Sequence, residues 1–99
     1  MLPRLVWSKR AFRDLDSISD YLRPRSQIAA ERYVMDIRTA CLRLEEYPES
    51  GRKYDETYRV LVARNHVVFY RLHPNAGEVR IVTVIDGRRD VSKVIDALK

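Results

Sequence analysis

Apolar side chains change their spacing along this chain, and the changes divide it into elements. Residues 2–7 carry Leu2, Leu5, Val6 and Trp7 beside Pro3, an extended segment whose proline lacks an N–H and so belongs at a strand end or edge. After Ser8, a side chain suited to capping, Phe12, Leu15, Ile18 and Leu22 with Ala11 recur at three- and four-residue steps, which predicts one face of a helix. Lys9, Arg10, Arg13, Asp14, Asp16, Ser17 and Asp20 fall mostly on the other face. Arg23-Pro24-Arg25-Ser26 stops this helix, because the residue before proline avoids the α region, and Ser26 caps the next. A second helix is expected over residues 28–46, with Ala30, Tyr33, Val34, Ile37, Cys41 and Leu44 on one stripe and Met35, Arg38, Leu42 and Glu45 flanking it. Pro48 and Gly51 end it.

Beyond residue 51 the period drops to two. Residues 49–55 read as a polar loop carrying the basic pair Arg52-Lys53, and residues 57–62 alternate as a strand. Arg64-Asn65 is then a short turn into residues 67–72, a β-branched and aromatic run. His73-Pro74-Asn75-Ala76-Gly77 breaks that run as a hairpin connection, and residues 79–85 resume the strand with apolar residues on both parities, as expected near the centre of a sheet. Residues 66–90 are the stretch around which the rest is organised, since two long apolar strands meet there across a turn. Val91, Val94, Ile95 and Leu98 behind Asp90 predict a short terminal helix. The order is strand, helix, helix, then three strands on short connections. It predicts a two-layer α+β fold, an N-terminal strand and helix hairpin packed on an antiparallel meander.

Ninety-nine residues suffice for one core, so residues 1–99 are expected to form a single domain. Hydrophobic residues make up 45% and charged residues 33%, which argues for folding by burial rather than disorder. Cys41 is the only cysteine, no secretory signal pattern opens the chain, and no run approaches the roughly 20 apolar residues of a membrane span. A cytoplasmic protein without a membrane partner is expected. The net charge of +5, mostly arginine, suits an anionic partner such as nucleic acid, a ribosome or an acidic protein.

Motifs for chemistry are sparse. Cys41 lies in the apolar stripe of the second helix and reads as a buried small hydrophobe. His66 and His73 flank one strand with no cysteine pair, so neither metal nor other cofactor is expected. There is no glycine-rich phosphate loop and no nucleophile elbow. Trp7 and Tyr21 read as packing residues before base-stacking platforms. RNA cleavage through a 2′-hydroxyl needs only a base, an acid and charge stabilisation, for which Arg52, Lys53, Arg59 and Arg80 with nearby tyrosines are the candidates.

Four stretches in order, LVWSKRAFRDLDSISDYL, EEYPESGR, HVVFYR and IVTVIDGRRD, resemble the RelE/ParE superfamily of toxins from toxin–antitoxin pairs, and the ParE branch most closely. The resemblance covers nearly the whole chain. It implies a small basic α+β domain wrapped by the C-terminal segment of a ParD-like antitoxin in a hetero-oligomer. ParE members poison DNA gyrase, whereas RelE members cut mRNA in the ribosome. ParE-like sequences commonly carry histidine before the closing Gly-Arg-Arg-Asp; here Asp86 takes its place, and no Tyr or His follows Pro74. A general acid or base is therefore missing where RelE-like nucleases commonly have one, and a gyrase-binding toxin rather than an enzyme is expected, the alternatives being a RelE-like ribosome-dependent mRNA endoribonuclease or a non-toxic protein-interaction module. Arg80, Asp86, Arg88 and Arg89 are the target-binding candidates, although Arg88 and Arg89 also have a plainer role in neutralising Asp86 and Asp90. Leu22, Tyr33, Met35 and Leu42, expected to flank the core stripe along an apolar groove, are the antitoxin-binding candidates.

Overall fold

The computed structural model describes residues 2–98. Strand β1 (Arg4–Trp7) leads into helix α1 (Lys9–Leu22), which forms a hairpin with α2 (Gln27–Leu42). The two serines cap as expected: the Ser8 and Ser26 hydroxyls accept from the N–H groups of Ala11 and Ala29, satisfying donors that a helix start leaves unpaired. The second helix is shorter than its sequence pattern. It gives way at Leu42 to a 3-10 turn, Arg43–Glu45, which still places Leu44 in the core.

Three longer strands follow, β3 (Tyr58–Ala63), β4 (His66–His73) and β5 (Glu78–Asp86), preceded by a two-residue β2 (Arg52–Lys53) and followed by α3 (Val91–Leu98). The sheet order is β1-β5-β4-β3-β2, with β1 parallel to β5 and all other pairs antiparallel. Two features correct the sequence reading. Arg52-Lys53, expected in a loop, joins the sheet because the Arg59 guanidinium donates to the carbonyls of Glu49 (3.1 Å) and Gly51 (2.8 Å), pinning that segment to the edge. The Tyr70 hydroxyl also accepts from the Gly51 N–H and donates to the Pro48 carbonyl, both at 2.9 Å. Secondly, the N-terminal strand pairs in parallel with β5, which closes the sheet on the side opposite β2.

The helix hairpin covers one sheet face, burying Leu15, Ile37, Cys41, Leu44, Val68, Tyr70, Val79, Ile81 and Val84. Burial pushes the Cys41 thiol up to about 12, so it packs as an apolar group. The other face is not bare: α3 brings Ile95 against Val60, Phe69 and Ile85. Both faces being covered accounts for the apolar residues on both parities of β5. A bulge contributes too. The β4–β5 register shifts between Phe69 and Tyr70, so Val79 and Ile81 face the hairpin before it and Val84 after it. Phe12, placed by its spacing on the buried side of α1, is instead 49% exposed and lies against Trp7. No described helix is long and apolar enough to cross a membrane.

Candidate target-binding cleft

The β3–β4 hairpin turns on two residues, Arg64-Asn65, with Ala63 opposite His66. Arg64 adopts φ 56°, a conformation usually left to glycine in such tight hairpins. Surrounding contacts hold it there. Its guanidinium reaches Asp36 at 2.8 Å and lies 4.6 Å from the Tyr33 ring centroid. The neighbouring Asn65 donates its N–H to the Tyr33 hydroxyl at 3.2 Å and accepts at its carbonyl from the Gly87 N–H at 2.8 Å. A Cβ on Gly87 would come within 2.9 Å of that carbonyl oxygen, so the close approach of the two turns requires glycine.

This junction brings together groups that are distant in sequence. His66 pairs with Asp86 across β4 and β5, and its Nδ1 is 2.7 Å from the Tyr33 hydroxyl. A neutral imidazole protonated at Nε2 fits this bond, with the Tyr33 hydroxyl donating to Nδ1 while its oxygen accepts from Asn65. Burial agrees, lowering the His66 pKa below the ordinary imidazole value against the opposing pull of Asp86. Asp86 is gripped by Arg88, whose Nε and Nη2 donate to its two oxygens at 3.1 and 2.8 Å and whose N–H adds a third bond at 2.9 Å. These bonds hold the Asp86 carboxyl well below the usual carboxylate range and raise Arg88 in turn.

The C-terminal half of α1 forms the opposite wall. Asp14, just before the midpoint of α1, accepts from the Thr83 hydroxyl (2.5 Å) and the Val84 N–H (2.9 Å) beside the bulge, tying helix to sheet. Tyr21, 63% exposed, carries the Arg25 guanidinium 5.7 Å from its ring centroid. Between the walls lies a cleft of about 1070 Å³ lined by Leu22, Arg25, Tyr33, Arg64, His66, Asp86, Arg88 and Arg89, among others. Its two lining carboxylates, Asp14 and Asp86, receive internal hydrogen bonds, and of the four lining arginines Arg88 is paired with Asp86 and Arg64 with Asp36, which leaves Arg25 and Arg89 without a carboxylate partner among the described residues. The unsatisfied balance favours an anionic ligand or an acidic partner surface.

Of the target-binding candidates, Asp86, Arg88 and Arg89 line this cleft and Arg80 does not. Arg80 lies farther back on β5, opposite Val6 and Arg71, and is paired with Glu78 at 3.3 Å. The basic set suited to a nuclease is divided by the sheet. Arg59 shares a cross-strand row with Lys53, Tyr70 and Ile81, on the helix-hairpin side, whereas Arg80 is one residue out of that row and Arg52 pairs with Val60, both on the opposite side. The antitoxin candidates also separate. Leu22 and Tyr33 line the cleft, with Tyr33 buried in the core rather than flanking it, while Met35 and Leu42 are exposed on the far side of α2. His66 is the cleft residue that the sequence pattern missed, because a histidine at a strand start has no local mark of its cross-strand partner. Among the described residues, no cluster of three or more His, Cys, Asp or Glu side chains is placed to hold a metal ion.

Comparison with known proteins adds a family match. Residues 5–91 match the family model described as the ParE toxin of the type II toxin–antitoxin system parDE. The chain is 39% identical over 83 residues to toxin RelE2 of Caulobacter vibrioides, covering 84% of this chain and 93% of that one. It is 34% identical over 95 residues to the putative toxin Y4kP of Sinorhizobium fredii, covering 93% and 96% respectively. Its fold is similar to a chain of the chromosomal ParDE system from P. aeruginosa, with a TM-score of 0.74 at 23% identity over 86% of this chain and 96% of that one.

Proposed function

This chain belongs to the ParE toxin family of type II toxin–antitoxin systems, and from that premise we propose that it arrests growth by binding DNA gyrase through the cleft at the end of its sheet and is neutralised by a cognate antitoxin that fills the same cleft. One observation carries the proposal: Arg88 and Arg89, candidates for the target, and Leu22 and Tyr33, candidates for the antitoxin, line a single cavity. A partner seated there covers the target-facing arginines without remodelling the fold. The cleft's net positive lining suits an acidic antitoxin segment whose apolar side chains reach Leu22. Arg80 and the outer-face residues Met35 and Leu42 play no part in this reading.

The competing activity is ribosome-dependent mRNA cleavage, and His66 is the observation in its favour, an imidazole beside Arg88 and Tyr33. Against it stands the division of Arg52 and Arg80 from Lys53 and Arg59 by the sheet, which leaves no single face with the full basic set. Binding without cutting is therefore the better reading. Purified toxin is expected to inhibit plasmid supercoiling by gyrase or trap its cleaved DNA complex, and to leave translated mRNA intact in primer extension. Codon-positioned mRNA breaks that vanish in His66→Gln, with supercoiling unaffected, would reverse the assignment. Adding antitoxin should restore supercoiling, and Leu22→Glu should weaken that rescue.

A further inference from the structure

Helix α2 has a second apolar line that the core does not use. Its buried face carries Ala30, Tyr33, Ile37 and Cys41, yet Ile28, Met35 and Leu42 on the opposite face are 69%, 61% and 56% exposed. They are spaced seven residues apart, so they form a nearly straight seam along the helix. The seam is about 21 Å long at 1.5 Å per residue. Exposed apolar residues scattered singly need no account, but three in register along one helix mark a contact surface.

The flanking charges say what fits it. Glu31 and Arg38 are also seven apart, lie on the same side of the seam and are both exposed. We propose that this face of α2 receives a second copy of the same chain, packed antiparallel about a two-fold axis at Met35. That axis places Ile28 against Leu42 of the second copy and Glu31 against its Arg38, twice over by symmetry. With Asp36 already engaged by Arg64, the face carries Glu31 beside Arg32 and Arg38, both signs together as self-pairing requires, in contrast to the arginine-lined cleft on the other side of the hairpin. The dimer therefore leaves that cleft open. One helix pair buries on the order of 1,000 Å² in total, the low end of specific interfaces, so a weak association seen only at high protein concentration is expected.

Sedimentation equilibrium of the purified chain over a wide concentration range tests this. The weight-average mass should climb from monomer toward dimer in the parent and stay at monomer in Met35→Glu. Glu31→Arg and Arg38→Glu should each weaken association at least several-fold, and the double reversal should return it to the parent value. Because all three positions are exposed, circular dichroism melting at concentrations where the parent is monomeric should be unchanged in every variant, which separates lost association from lost fold. Met35→Cys, lying on the axis, should form a disulfide-linked dimer under mild oxidation. A parent that stays monomeric throughout, an association that survives Met35→Glu, or a double reversal no better than the singles would each overturn the proposal. So would a monomeric parent whose antitoxin affinity falls in Met35→Glu, since the seam would then belong to the antitoxin.

Discussion

The Tyr33 hydroxyl and the His66 imidazole, 33 residues apart in sequence, are joined by a 2.7 Å hydrogen bond that ties the second helix to the start of the central strand. The same hydroxyl accepts from Asn65, so one phenol positions both the β3–β4 turn and the imidazole beyond it. Through Gly87 and Asp86 that turn is joined in turn to the Arg88 side of the cleft.

This arrangement has a signed pH dependence. The folded His66 pKa lies below the ordinary 6.5, so below that value the unfolded chain binds more protons and stability falls as pH falls. The contribution is intact above the unfolded pKa and is lost on the acid side. Asp86 acts in the same direction further down, since its depressed carboxyl is stabilising above its ordinary 3.8 and loses that effect on protonation. An imidazole titration followed by NMR should show a midpoint below 6.5. Denaturant midpoints should fall between about pH 7.5 and about pH 5.5, and the fall should be smaller in His66→Gln.

Replacing Arg88 and Arg89 together by alanine should weaken gyrase inhibition at least several-fold while leaving the denaturation midpoint near that of the parent. Both side chains are exposed on the cleft rim, where ion pairs contribute little to stability. Dose–response of supercoiling, measured beside thermal melting, checks this, and equal inhibition by variant and parent would remove these arginines from the contact surface. Arg80→Ala, paired with Glu78 outside the cleft, should inhibit like the parent.

Two glycines should differ in their tolerance of alanine. At Gly51 an added methyl would run into the Tyr70 side chain and the Val60 carbonyl, so Gly51→Ala should cost about 1–3 kcal/mol through overpacking. At Gly77, where φ is +64° and nothing lies within 4 Å of the added carbon, only backbone strain of about 1–2 kcal/mol is expected. Combining each with Tyr70→Phe separates them. The cost at Gly51 should change, because its N–H donates to the Tyr70 hydroxyl, whereas the cost at Gly77 should not.

Truncation of the core on either sheet face should be severe. Leu15→Ala and Ile81→Ala on the hairpin side, and Phe69→Ala on the α3 side, should each lose about 2–5 kcal/mol in chemical denaturation, because the residual cavities cannot fully collapse. Phe12→Ala, half exposed against Trp7, should lose far less than Leu15→Ala despite its larger side chain. Equal losses at the two positions would show that α1 presents a different face to the sheet.

Local pattern was enough for every element whose residues answer to their sequence neighbours. Ser8 and Ser26 cap, the stripe Ala30, Tyr33, Ile37, Cys41 and Leu44 is buried, and Pro74 to Gly77 turns the chain, because capping, helical periodicity and backbone freedom act over a few residues. From these alone the chain is an α+β fold with its later strands in a meander. Tertiary structure decided what depends on partners far along the chain. Strand β1 has no local mark of its parallel pairing with β5, and Arg52-Lys53 becomes a strand only because Arg59 and Tyr70 hold its approach. Phe12 satisfies the helical period but lies at the margin of its face, where only the width of the sheet beneath determines burial. The cleft is the extreme case: Leu22, Tyr33, His66, Asp86 and Arg88 come from two helices, two strands and a loop, and a hydrogen bond or a cavity wall exists only once register and packing have set those atoms within a few ångströms of one another.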